Sequence, residues 1–214
     1  MKTLLLELLT KLRQAYEESD IRRLCLMESR QWGYSLITGP CIPYAPLLVG
    51  FNWGARVGEE YSSRETIEET SLKNEDLGSL IRVVPYWEKY LPEHVLAHAS
   101  QTNYCFFRSK NESQISERDL ALCRPIFNRL LEIVKPSIVL CFSSKLRDYM
   151  VSTDKIKRLE KKPLEYKRGQ SQVTYLVMKG ELATGVTIAF LPHPMYRMTT
   201  AARDAAWAFC FDKG

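Results

Sequence analysis

The sequence predicts an α/β protein: a three-layer sandwich with helices flanking a mostly parallel, four-stranded central sheet. Three observations lead there. Four short apolar runs (Leu47–Phe51, Tyr104–Phe107, Ser137–Phe142 and Thr187–Leu191) are continuous rather than alternating, as strands covered on both faces are. Helical apolar spacing fills the intervals between them, and alternating strands and helices favour a parallel sheet. No internal repeat or low-complexity linker interrupts the pattern. A chain of 214 residues can bury one core, so a single domain over 1–214 is expected.

The first element is an N-terminal amphipathic helix in MKTLLLELLTKLRQAYEESD. Glu7 breaks the apolar run, no small-residue cleavage site follows, and apolar residues continue at helical spacing, so a helix is favoured over a leader peptide. The strand Leu47–Phe51 carries Gly50 near its end and is followed by Asn52, Trp53 and Gly54, so two glycines and an Asn fall where one turn residue would do. Ser116–Val134 is the clearest helix. Ser116 can cap it, Leu120, Ile126, Leu130, Leu131 and Val134 form its buried face, and Pro136 ends it before SIVLCF. Asp154–Glu181, with Pro163, Gly169 and Gly180, reads as an irregular insertion or small hairpin excursion, and Met198–Phe211 as a closing helix.

Composition narrows the function. At 45% hydrophobic and 26% charged the chain has ordinary globular composition, and no apolar run reaches the length of a membrane span. A cytoplasmic monomer without membrane association is expected. The six cysteines (Cys25, Cys41, Cys105, Cys123, Cys141 and Cys210) include no CxxC pair, which argues against a disulfide scaffold or a zinc knuckle. His94 and His98 have i, i+4 spacing, but no Glu follows the first and no third ligand is evident, so no metal is expected. The net charge is +5 and permits a polyanionic partner. Seven basic residues (Lys155, Lys157, Arg158, Lys161, Lys162, Lys167 and Arg168) face only two acidic ones between positions 155 and 168. This run is either a solvated face or a phosphate-contacting strip, with Arg197 as a further candidate.

In open α/β sheets, ligands bind beyond the carboxyl ends of the strands. Asn52, Asn103 and His193 fall at or near three such ends. Asn52 can orient a water but is a poor general base, since an amide does not ionise in this range. Asn103 can hydrogen-bond a carbonyl and a ring N–H together, as a pyrimidine edge requires. His193 can donate to an oxygen on which charge develops. Together they suit hydrolysis of an N-glycosidic bond. Asn52 and His193 are the expected catalytic residues.

These residues also carry a resemblance. From about Cys25 to Trp207 the chain resembles the uracil-DNA glycosylase superfamily. Gly50-Phe51-Asn52-Trp53-Gly54 is similar to the motif that follows the family's first strand. Thr102-Asn103-Tyr104-Cys105 is similar to its base-reading segment, and His193-Pro194-Met195 to its late His-Pro motif. Cys123–Phe142 resembles the helix-then-strand passage between the last two motifs. Asn52 aligns the chain with the mismatch-specific and single-strand-selective branches, while Trp53 and Met195 depart from the usual Pro and Ser. The resemblance implies base contacts by Gly50, Phe51, Trp53, Gly54, Asn103 and a stacking aromatic, for which Tyr61 is the candidate. Glu59 and Glu60 lie near the same loop. Some branches hold an iron–sulfur cluster on four cysteines. Here Cys25, Cys105 and Cys123 resemble parts of that set, but Arg22 stands where an early cysteine is needed, so no cofactor is expected.

Three readings follow from the resemblance. The first is a monofunctional DNA glycosylase that flips a uracil or C5-modified pyrimidine and leaves an abasic site. The second uses the same scaffold to remove bulky modified cytosines from phage DNA. The third is a non-catalytic nucleic-acid-binding relative.

Overall fold

A computed structural model describes residues 1–55, 67–68, 78–91, 95–153 and 156–211. It begins with helices α1 (Lys2–Glu17) and α2 (Asp20–Met27), then strands β1 (Ile37–Thr38), β2 (Leu47–Gly54) and β3 (Ile67–Glu68). A 3₁₀ helix (Gly78–Val83) leads into α3 (Val84–Tyr90) and α4 (Val95–His98), followed by β4 (Ser100–Ser109) and a 3₁₀ turn (Glu112–Gln114). The rest runs α5 (Glu117–Val134), β5 (Ile138–Cys141), α6 (Ser144–Thr153), β6 (Lys157–Arg168), β7 (Ser171–Glu181), β8 (Thr187–Phe190) and α7 (Thr200–Phe211).

The protein is a mixed α/β fold, but its sheet is larger than the four-stranded one expected. Among the described residues eight strands form one sheet in the order β3-β1-β4-β2-β5-β8-β7-β6. The strands β4, β2, β5 and β8 are mutually parallel, whereas β7 and β6 add antiparallel to β8. Strand β1 joins β4 antiparallel, with β3 outside it. The edge strands escaped the sequence reading for different reasons. β1 and β3 have two residues each, too short to show a period. β6 hides behind its charges.

Helices cover both faces. Alternate residues of β2 and β5 divide between two apolar clusters: Leu47, Val49, Val139 and Cys141 join α1, α2, α5 and α6, while Leu48 and Leu140 join the first 3₁₀ helix, α3 and α7. Burying Leu5, Leu8, Leu12 and Tyr16 on one stripe accounts for α1. A second helix follows because Ser19 accepts from the Arg22 amide and caps α2, a start the sequence reading did not separate from α1. Ser116 caps α5 in a capping box with Asp119, and Lys135 in the left-handed region (φ 49°) closes it before Pro136. Buried Asp119 also accepts from the amides of Asp20 and Ile21, so α2 and α5 start against one another.

The segment read as an excursion is a long hairpin continuous with the sheet. Gly169 (φ 64°) occupies the first turn position between β6 and β7, where a two-residue hairpin turn takes glycine. β6 is the sheet's outer edge, with Leu164 and Tyr166 buried and its lysines exposed. It carries Lys157, Lys161, Lys162 and Lys167, Pro163 and a bulge between Lys157 and Glu160. Lysines, proline and a bulge are the devices that keep an exposed edge from pairing with another chain.

Candidate functional site

A cleft of about 210 Å³ opens where the parallel strands end, and it brings Asn52, Asn103 and His193 together. Gly50, Phe51, Trp53 and Gly54 also line it, with Glu112 and Ser143.

The floor is built from Gly50 and Asn103, which lie opposite each other in the β2–β4 register. A Cβ on Gly50 would collide with the Asn103 side-chain oxygen. The glycine is therefore needed to seat the Asn103 amide. Asn103 is only 4% exposed, and no described residue hydrogen-bonds its amide. An amide that no described residue engages is suited to a ligand that supplies both a donor and an acceptor.

The β2–β4 register shifts between Asn52 and Trp53: Asn52 pairs with Cys105, but Trp53 pairs with Arg108. Such an irregularity re-aims the side chains around it. Here the Asn52 amide nitrogen donates to Ser109 Oγ (2.8 Å) and to the Trp53 carbonyl (3.0 Å). Ser109 in turn donates to the Asn111 carbonyl (2.8 Å). Both amide protons are thereby used, which leaves Oδ1 as the group able to hold a water. Trp53 donates its indole N–H to the Ser35 carbonyl (2.6 Å), which ties the indole down at that end. Phe51 lines the cleft, but its side chain belongs to the core, with Lys145 Nζ 4.4 Å from its ring centroid. Gly54 is exposed, and a Cβ there would meet nothing within 4 Å.

His193 lies in the loop between β8 and α7. Its Nδ1 accepts from the Met195 amide (3.1 Å), so the neutral ring carries its proton on Nε2. Partial desolvation holds its pKa below the ordinary value of 6.5; Glu112 opposes that shift and Arg203 reinforces it. At neutral pH the ring is therefore an uncharged donor.

Arg203 was not singled out from the sequence, yet it holds this loop. From α7 its guanidinium donates to the carbonyls of Pro192 (3.3 Å), His193 (3.3 Å), Pro194 (3.4 Å) and Tyr196 (2.8 Å). Arg203 is 7% exposed, and no described carboxylate pairs with it. A visible signal existed: Arg203 sits three and four residues before buried Ala206 and Trp207, on the apolar face of α7.

The remaining candidates fall elsewhere. Tyr61, Glu59, Glu60, His94 and Lys155 lie outside the described residues. Lys157, Arg158, Lys161, Lys162, Lys167 and Arg168 lie along β6, where Arg158 pairs with Glu181 (3.2 Å) and Lys162 sits 5.8 Å from the Phe209 ring centroid. Arg197 is exposed beside the His193 loop. Cys25, Cys105 and Cys123 are fully buried in the core, and burial pushes the Cys105 thiol well above its usual pKa. Among the described residues no three His, Cys, Asp or Glu side chains converge as a metal ion would require. None of the described helices is long and apolar enough to cross a membrane.

Comparison with models of protein families finds none that matches, and a search among characterised proteins likewise finds no match.

Proposed function

We propose that the chain is a monofunctional DNA glycosylase that flips a pyrimidine into the cleft and hydrolyses its N-glycosidic bond. One observation carries the reading: Asn103, whose amide no described residue hydrogen-bonds, shares one cleft with a held Asn52 and a neutral His193. Asn103 offers a donor and an acceptor to the pyrimidine edge. Asn52 Oδ1 orients the water. The Nε2–H of His193 meets the base oxygen on which negative charge gathers as the bond breaks. The open space at Gly54 supports acceptance of C5-substituted pyrimidines beside uracil.

The test is base release. Oligonucleotides carrying uracil or C5-substituted pyrimidines, as duplex and as single strand, are incubated with the protein and then cleaved with alkali at abasic sites. Wild type is expected to give cleavage products. His193→Ala is expected to lose roughly 10²–10³ in rate with little change in DNA affinity, the scale for removing one such donor. Tight binding with no product from any substrate would favour the non-catalytic relative.

A further inference from the structure

Asn52 cannot take a proton, and among the described residues lining the cleft Glu112 is the one that carries a carboxylate. The turn that carries Glu112 is tied to Asn52 itself. Asn52 donates to Ser109, and Ser109 donates to the carbonyl of Asn111, the residue before Glu112. Lys145 Nζ holds the Glu112 carbonyl at 3.0 Å, and Asn111 and Gln114 close the turn in a capping box. The carboxylate is exposed, and no described cation pairs with it, although the chain is basic overall. Glu112 and His193 line the same cleft, and the Glu112 charge raises the proton affinity of the ring.

We propose that Glu112 is the general base of the cleft and takes a proton from the water that Asn52 orients. This rests on the glycosylase reading. The water oxygen forms a bond to the sugar C1′, and the C1′–N bond breaks with its electron pair leaving on the base. One water proton passes to Glu112, and the other stays on the new C1′ hydroxyl. The base anion, held by the Nε2–H of His193, takes up a proton on release, and Glu112 returns its proton to solvent. The ordinary alternative is a glutamate favoured at the first position of a short helix, where a negative charge suits the helix N-terminus.

The experiment follows single-turnover base release by wild type, Glu112→Gln and Glu112→Ala on the best substrate from the panel above. Glu112→Gln is expected to lose roughly 10²–10⁴ in rate, the usual range for a general base, with DNA affinity equal or tighter. Added formate is expected to restore part of the Glu112→Ala rate, because a small carboxylate can occupy the vacated position. A merely structural glutamate would not respond to formate. Wild-type release with an unimpaired Glu112→Gln overturns this assignment and leaves the glycosylase reading standing. A slow Glu112→Ala that formate does not restore assigns Glu112 to holding the turn and also overturns it. A wild type that releases no base from any substrate removes the glycosylase reading, and the role of Glu112 with it.

Discussion

Two concavities lie at opposite ends of the parallel strands. The larger, about 680 Å³, sits where β5 and β8 begin and is lined by Tyr44, Glu132, Lys135 and Thr187 among others. The smaller, about 210 Å³, sits where β2 and β4 end. Size favours the first, and chemistry favours the second. In the larger groove Tyr44, Glu132, Lys135 and Thr187 are all exposed, so water satisfies them and a ligand gains little. In the smaller cleft Asn103 is buried, and Asn52 and the His193 loop are held by hydrogen bonds. Convergent polar groups with restricted partners are better evidence of a site than volume.

The sharpest way to break this contrast is to loosen one end and not the other. Arg203→Met removes the four hydrogen bonds that hold the His193 loop, and leaving the buried ones, to the Pro192 and Pro194 carbonyls, unmade costs about 1–3 kcal/mol each. Misplacing a catalytic group by about an ångström costs on the order of 10²-fold in rate. Base release is therefore expected to fall by that order. The variant also removes a charge that lowers the pKa of His193, so an NMR titration should find that pKa higher than in wild type. Wild-type His193 takes up its proton below pH 6.5, and the variant's should do so nearer that value. Lys135→Met, in the larger groove, should change neither reading. An unmoved His193 titration with full activity would deny Arg203 its role.

Much of the cleft was legible because its parts fall at strand ends in a short sequence context. The run LLVGF and the polar residues after it place Asn52, and IAFLPHP places His193 in the same way. The central strands were legible because burial on both faces makes them continuously apolar. What stayed hidden depends on contacts distant in sequence. Glu112 lies three residues past the end of β4, but the apolar run suggests a strand ending at Phe107, and Arg108 and Ser109 extend it. The irregular register at Asn52 and the seating of Asn103 over Gly50 arise from the pairing of two strands about fifty residues apart. The edge strand β6 reads as part of an irregular insertion or small hairpin excursion because edge protection replaces its apolar period with lysines.

A smaller effect sharpens the shape of the cleft. On the proposed glycosylase reading, a side chain two residues after the water-positioning Asn52 would border the pyrimidine C5 edge. Gly54 stands at that offset from Asn52, lines the cleft and has open space where a Cβ would go. Gly54→Tyr should therefore fold normally and reduce release of C5-substituted pyrimidines before that of uracil. Added volume in a filled pocket costs about 1–3 kcal/mol, or roughly five- to 150-fold in rate. Equal losses for all bases would show that Gly54 does not face the C5 edge.

The smallest expected effect concerns salt, and it divides the basic residues that the sequence groups together. The sheet register sets their positions along the strand axis. Lys157 pairs with Glu181, and Glu181 with Thr187, so Lys157 belongs to the end of the sheet that carries the larger groove. Leu164 pairs with Tyr175, whose ring lies 5.2 Å from that of Tyr196 in the His193 loop. Lys167 and Arg168 lie beyond that rung, at the end that carries the cleft. On the proposed reading, DNA entering the cleft meets Lys167, Arg168 and Arg197 but not Lys157 or Arg158, and Arg158 already pairs with Glu181. Each lost phosphate contact should reduce the slope of log affinity against log salt by about one. Changing Lys167, Arg168 and Arg197 to Gln should therefore reduce it by up to about three, and changing Lys157 and Arg158 to Gln should leave it unchanged. Equal reductions from both sets would mean that the strand acts through its summed field, and would remove the distinction between the two ends for DNA.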